Sequence, residues 1–236
     1  ALWRIALFIK QRQPKVLYSV LSVPNIFSLL AARLFGRSRV IWGIRSSKLT
    51  SPSFTPKIFL VDFLERKLSL FPDGVVFNSQ SGLEYFRSKG FATKHGTVIH
   101  NGIDTGYFRF NPQARSRVRQ SLGIPEKACV IGTVGRAEHN KGPDIFLKVG
   151  RRLLEKTENV YFLIVGRGWD KFLKESKIIA PLGESSRLLV VRETLEVREY
   201  YSAMDIFVSA SRNEGTSNAI LEAMSCRRVC VVTDAG

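Results

Sequence analysis

Residues Cys129–Val165 run C-V-I-G-T-V, then G-R-A-E-H-N-K-G, then P-D-I-F-L-K-V-G-R-R-L-L-E-K-T-E-N, then V-Y-F-L-I-V. The first and last blocks are unbroken apolar runs of strand length. The second is polar and bracketed by glycines, and the third places apolar residues at helical spacing over Asp144–Glu155. A strand that is apolar along its whole length has both faces covered, which is the pattern of a parallel sheet with helices on either side. Downstream the alternation continues. A strand is expected over Arg187–Val191 and a helix over Val197–Ala203. A strand over Ile206–Ser209, a helix over Ser217–Cys226 and a strand over Val229–Val232 follow, and a loop with a short helix fills the gap after Val165.

Upstream the same alternation has already occurred once. Strands are expected over Val16–Val20, Arg39–Ile44, Val75–Phe77 and Thr97–His100. Helices are expected over Pro24–Phe35, Lys57–Phe71 and a segment ending at Gly90, with Asn78 and Ser79 as candidate N-caps. A turn signal, N-G-I-D at Asn101–Asp104, leads into a segment with repeated Arg, Arg109–Pro125, before the pattern restarts. The restart predicts an α/β protein with two Rossmann-like parallel sheets. The boundary is placed between about Ile103 and Lys127, giving domains over 1–108 and 109–236.

The 236 residues are 44% hydrophobic and 24% charged, with 18 Gly and 9 Pro, which excludes a disordered or low-complexity chain. No window reaches the roughly 18 uncharged apolar residues of a membrane-spanning helix. Three cysteines, Cys129, Cys226 and Cys230, make no disulfide framework and match no zinc spacing; buried thiols in a reducing compartment are expected. Thirty-six Lys and Arg against 20 Asp and Glu give a net charge of +16, and residues 1–61 hold ten basic side chains and no acid. Such a surface attracts nucleic acid, anionic lipid or a phosphorylated substrate. No zinc-finger, helix-turn-helix or RNA-recognition pattern is present, so no nucleic-acid partner is expected.

In open α/β sheets ligands lie beyond the carboxyl ends of the strands, which directs attention to the residues after Val134, Val165, Val191 and Ser209. After Val134, Gly135, Arg136, Lys141 and Gly142 place two cations before a helix N-terminus. That is a candidate anion site, although a solvated basic turn has the same composition. After Ser209 comes A-S-R-N-E-G-T-S-N-A-I-L-E-A-M, with seven residues between Glu214 and Glu222. Gly215, Thr216 and Ser217 offer backbone N–H groups and hydroxyls at a helix start, and the two carboxylates can accept hydrogen bonds from hydroxyl groups. Taken singly, Glu214 reads equally as a capping acid and Glu222 as an exposed helix residue.

Together these stretches resemble the family 4 glycosyltransferases, which have the GT-B fold and retain anomeric configuration. V-I-H-N-G-I-D is similar to that family's interdomain segment, with His100 in place of Pro. I-G-T-V-G-R-A-E-H-N-K-G is similar to its phosphate loop, and Y-Y-S-A-M-D-I-F-V-S-A-S-R-N-E-G-T-S-N-A-I-L-E-A-M to its Glu-x7-Glu element. The resemblance is close from Ile99 onward and looser over residues 1–98. It implies a nucleotide-diphosphate sugar as donor substrate, no cofactor and no bound metal. Arg136 and Lys141 would hold the diphosphate and stabilise charge on the departing nucleotide. Glu214 would contact the donor sugar and Glu222 the ribose, with Gly135 and the N–H groups of Gly215, Thr216 and Ser217 assisting. The Val190–Thr194 loop would border the base, with Arg192 where the family carries Gly. The turn Arg227–Val231, R-R-V-C-V, replaces Gly-x-Pro-Val-Val.

No carboxylate of the family is an established covalent nucleophile, so the glycosidase pair is not the model for Glu214 and Glu222. On the acceptor side Arg45, in G-I-R-S-S-K (Gly43–Lys48), is the candidate. The resemblance further implies sugar transfer to a glycan or lipid-linked acceptor in cell-surface polysaccharide synthesis, a cytoplasmic location, and a chain lacking both of the family's termini. The acid-free N-terminal stretch suggests peripheral attachment to an anionic membrane surface. The alternative is a non-catalytic nucleotide-sugar-binding module or an inactive fragment.

Overall fold

The computed structural model describes residues 2–45, 56–176 and 186–235. The chain divides into two units, one comprising Ala1–Asn101 and Asn213–Thr216, the other Gly102–Arg212 and Ser217–Ala235.

The first unit carries helix α1 (Leu2–Arg12), strand β1 (Val16–Val20), α2 (Ser22–Phe35), β2 (Arg39–Ile44), α3 (Pro56–Leu68), β3 (Gly74–Phe77), α4 (Gln80–Ser88) and β4 (Gly96–Val98). Its strands pair in parallel in the order β1-β2-β3-β4. Trp42, Val40, Val75 and Phe77 from the sheet pack with Leu29, Leu83, Phe86 and Phe91 to form its core. Several expected element ends shift by one to three residues, β4 among them, which spans Gly96–Val98 and not Thr97–His100; two of the shifts and one cap have a local reason. α2 starts at Ser22, because Leu21 leaves β1 at φ +79 and Pro24 falls in the first turn, where its missing N–H costs nothing. The N-cap of α4 is Ser79, whose Oγ accepts from Gly82 N at 3.1 Å; Asn78 is buried and does not cap. Phe71 N–H bonds to Leu68 O, closing a turn that ends α3 three residues early. Of the Gly43–Lys48 motif, residues 46–48 lie outside the described residues.

The second unit carries α5 (Pro112–Ser121), β5 (Cys129–Val134), α6 (Pro143–Lys156), β6 (Val160–Val165), α7 (Trp169–Glu175), β7 (Leu188–Val191), α8 (Val197–Ala203), β8 (Ile206–Ser209), α9 (Asn218–Ser225) and β9 (Val229–Val232). All pairings are parallel, in the order β7-β6-β5-β8-β9. Helices cover both faces: one core joins Val130, Leu163, Tyr201 and Phe207, the other Ile131, Phe146, Phe162 and Trp169. The Arg-rich stretch contains α5, capped by Asn111, whose Oδ1 accepts from Ala114 N at 3.0 Å. Its arginines fasten the amino edge of the sheet. Arg115 and Arg119 each reach Asp205 at 2.8 Å, and Val130 N–H donates to the same carboxylate. Arg119 is 1% exposed and also donates to the carbonyls of Ala203, Glu126 and Ala128. The three cysteines are free thiols. Cys226 is fully buried, whereas Cys129 and Cys230 are half-buried.

Candidate functional site

The chain fills the second sheet outward from β5 through β6 to β7, then returns to place β8 on the other side of β5. The loops after β5 and β8 therefore leave the carboxyl edge in opposite directions. This is a topological switch point, where open α/β sheets hold their ligands. The loop after β5 rests against the one after β6: Trp169 Nε1 donates to Gly135 O at 2.8 Å and Ala137 N–H to Arg167 O at 3.0 Å. Gly166 holds a φ of +150 there, and a Cβ on it would stand 2.0 Å from Gly135 O. No residue with a side chain fits.

Across the switch point the β5 and β8 loops are locked together by Arg212. Its backbone N–H donates to Asn140 O at 2.7 Å. Its guanidinium donates to His139 O at 2.8 Å and to Asp144 Oδ2 at 2.7 Å. These acceptors bracket the short 3-10 turn His139–Lys141, which leads through Gly142 into α6. Gly142 has a φ of +64, and a Cβ on it would lie 2.0 Å from Ala210 O. The hydrogen bond from Arg212 holds the Asp144 carboxyl below the usual carboxylate range, and Asp144 in turn raises the guanidinium. The turn bearing Lys141 is thus fixed to the β8 loop by hydrogen bonds from the Arg212 backbone and guanidinium to two of its carbonyls, and by the ion pair with Asp144 just beyond it.

Arg136, by contrast, is exposed and pairs with Glu138 at 2.7 Å. An exposed pair of this kind contributes well under 1 kcal/mol, so the guanidinium can exchange its partner for a ligand at little cost. Glu222, on α9, is half-buried and accepts a hydrogen bond from Tyr201 Oη at 2.7 Å. Ser217 stands at the N-cap of α9 without a side-chain cap bond. Arg192, after β7, is 88% exposed and meets Asp170 at 3.2 Å. Arg136, Lys141, Arg192, Ser217 and Glu222 all belong to the second unit. Glu214, Gly215 and Thr216 lie in the segment grouped with the first, where Asn101 Nδ2 donates to Thr216 O at 2.8 Å.

In the first unit Arg45 follows β2 and donates to Asn101 Oδ1 at 3.1 Å. Beside it, at the carboxyl ends of β1 and β2, is a cavity of about 210 Å3 lined by Leu21, Asn25, Arg45, Glu65 and Phe86 among others. Burial raises the Glu65 carboxyl, against the hydrogen bonds from Ser22 and Asn25. A larger cavity of about 640 Å3, lined by Lys10, Lys15 and Arg37, opens at the amino ends of the strands and so lies away from the ligand-binding edge. No three His, Cys, Asp or Glu side chains gather into a metal-binding group among the described residues. Nor is any helix among them long and apolar enough to cross a membrane.

Sequence reasoning missed three residues that hold this edge in shape: Arg212, Asp144 and Tyr201. Arg212 and Asp144 were visible only as neighbours of motif residues, and nothing in the spacing pairs them. Tyr201 reads as one more core aromatic.

Two Rossmann-like units of parallel strands, the second with its switch point flanked by a cation-bearing loop and a carboxylate-bearing helix, make this a protein of GT-B architecture. Residues 1–107 match the family model described as Glycosyltransferase Family 4, and residues 128–236 the model described as Glycosyl transferases group 1. The chain belongs to the group 1, family 4 glycosyltransferases. It is 28% identical over 218 residues to a lipopolysaccharide core biosynthesis mannosyltransferase, LpsB, of Rhizobium meliloti (strain 1021), covering 85% of this chain and 61% of that protein. It is 33% identical over 150 residues to a D-inositol 3-phosphate glycosyltransferase of Corynebacterium jeikeium (strain K411), covering 59% of this chain and 35% of that one. The crystal structure of Anabaena HepE in complex with UDP-glucose superposes over the whole chain and 63% of its own, with a TM-score of 0.85 at 21% identity. The chain thus spans less than two thirds of the length of these relatives.

Proposed function

We propose that the second unit binds a nucleotide-diphosphate sugar at the carboxyl edge between β5 and β8, and that the whole protein transfers the sugar, with retention, to a glycan or lipid-linked acceptor. The observation that carries this reading is the Arg212 lock, which presents the Lys141 turn and the α6 N-terminus to the switch point as one rigid surface. A diphosphate needs cations within reach and unspent N–H groups, and a departing nucleotide needs them most as its charge develops. Arg136 and Lys141 supply the cations, and Gly135 leaves the backbone open to close approach. Glu222 accepts from the ribose hydroxyls. Glu214 contacts the donor sugar, the N–H groups of Gly215, Thr216 and Ser217 assist, and Arg192 borders the base. No metal or cofactor enters this scheme.

The relatives act in lipopolysaccharide core synthesis and on an inositol phosphate, which favours a role in cell-surface polysaccharide for this protein too. Arg45 and the adjoining cavity form the acceptor side. α1 exposes Trp3 and Phe8 beside Arg4, Lys10 and Arg12, which supports peripheral attachment to an anionic membrane surface. Differential scanning fluorimetry with UDP-, GDP- and ADP-sugars tests the donor site, since a ligand held at 100 times its Kd stabilises the folded form by about 2.7 kcal/mol. One donor is expected to raise the melting temperature, and Arg136→Ala with Lys141→Ala to abolish the rise. No response to any nucleotide sugar overturns the reading. Transfer by the full-length protein, lost in Glu214→Ala with donor binding retained, separates an enzyme from a binding module.

A further inference from the structure

The Glu222 carboxylate is held from behind. Tyr201, on α8, is 0% exposed, and its ring packs edge-on against Phe207 at 5.7 Å and Phe108 at 6.4 Å. The ring is caged, so the hydroxyl has one direction in which to point, and it donates to Glu222 Oε2 at 2.7 Å. Burial, and then the charge and hydrogen bond of Glu222, push the phenol far above its usual range, so it remains a donor at every physiological pH. No described residue hydrogen-bonds Oε1. A carboxylate on a helix surface otherwise samples several rotamers, and ordering it on binding costs rotamer entropy.

From this arrangement we infer that Tyr201 is a positioning residue for diol recognition: it fixes Glu222 Oε2 so that Oε1 and the remaining lone pair of Oε2 face a pair of adjacent ligand hydroxyls. The inference rests on the reading of Glu222 as the ribose contact and adds the group that prepares it. A carboxylate held by one short, charge-assisted hydrogen bond accepts two further donors in a fixed direction, which suits vicinal hydroxyls and wastes the geometry on a ligand that lacks them.

Isothermal titration of the 236-residue chain with UDP and with 2′,3′-dideoxy-UDP tests this. The wild type is expected to prefer UDP by tenfold or more. Tyr201→Phe keeps the caged ring and removes only the donor. It is expected to cut that preference at least fivefold while changing the affinity for the dideoxy compound less than twofold. Glu222→Gln is expected to lose the preference, and the double variant to lose no more than Glu222→Gln alone, because the two side chains act as one unit. Equal weakening for both nucleotides, or an unchanged preference in Tyr201→Phe, assigns Tyr201 to packing and overturns the inference while leaving the donor site standing. Should Tyr201→Phe unfold, retention of the preference in Glu222→Gln overturns it by itself. If the wild type binds neither UDP nor GDP nor ADP, the donor reading falls and this inference with it.

Discussion

The two edges of the second sheet use arginine in opposite ways. At the amino edge Arg119 is 1% exposed, and among the described residues the hydrogen-bond and ion-pair partners of Arg115 and Arg119 are carboxylates or backbone carbonyls of the same unit. At the carboxyl edge Arg136 and Arg192 stand in water beside single exposed carboxylates, whereas Arg212 is committed to holding the loop. The first edge spends its cations on closing the fold. The second leaves them able to change partners. Two sets of arginines that look alike in the sequence therefore differ in what their loss costs: stability at one edge, binding at the other.

The sharpest way to break this contrast is at Asp205. Removing it in Asp205→Ala leaves the Arg119 guanidinium buried without its counter-charge, a change that costs about 3–5 kcal/mol. Urea unfolding is expected to show the loss as a lower midpoint with an unchanged slope. Arg136→Ala in the same assay is expected to stay within about 0.5 kcal/mol of the wild type, as surface substitutions do. Equal losses at the two positions would erase the distinction.

What the sequence disclosed follows the same division. The strands were legible because each is a short, mostly apolar run, and Val16–Val20, Arg39–Ile44, Cys129–Val134 and Val229–Val232 match the observed spans to the residue. The loops worth inspecting were legible too, since in a parallel sheet they must follow the strands. The closures were not. Arg119 meets Asp205 across 86 positions and Arg212 meets Asp144 across 68. No periodicity links residues so far apart, and either arginine reads as an ordinary surface cation. Helix ends failed where a local choice decides them, as where the strained backbone of Leu21 starts α2 before its proline.

Acid sharpens the comparison at the next level of effect. Asp144 is held below the ordinary carboxylate range, first by the hydrogen bond from Arg212. At Asp205 burial opposes ionisation, but the hydrogen bonds from Val130, Arg115 and Arg119 outweigh it and lower the carboxyl as well. A depressed folded value means that the unfolded chain binds more protons. The stabilisation is therefore complete above the unfolded pKa, about 4, and drains away as the pH falls through the folded values. Unfolding measured between pH 5 and pH 2 is expected to show this decline. Asp144→Asn is expected to make it shallower over the same window, because the slope left over belongs to Asp205 and the remaining carboxylates. An unchanged slope would remove Arg212 and Asp144 from the account of the loop.

The smallest expected effect lies at Arg192. Its side chain is 88% exposed and its partner Asp170 is 54% exposed, so the pair is solvated on both sides and its loss costs less than about 0.5 kcal/mol. Arg192→Gly is accordingly expected to leave the melting temperature where it was. If the loop borders the base, the same variant is expected to change the order in which UDP, GDP and ADP bind, since a guanidinium offers donors to a base edge and glycine offers none. A silent residue in unfolding that alters base preference in binding would place Arg192 firmly with the exchangeable cations of the carboxyl edge. A loss of stability without a change in preference would move it to the other group, and the division of arginines by edge would then describe burial alone.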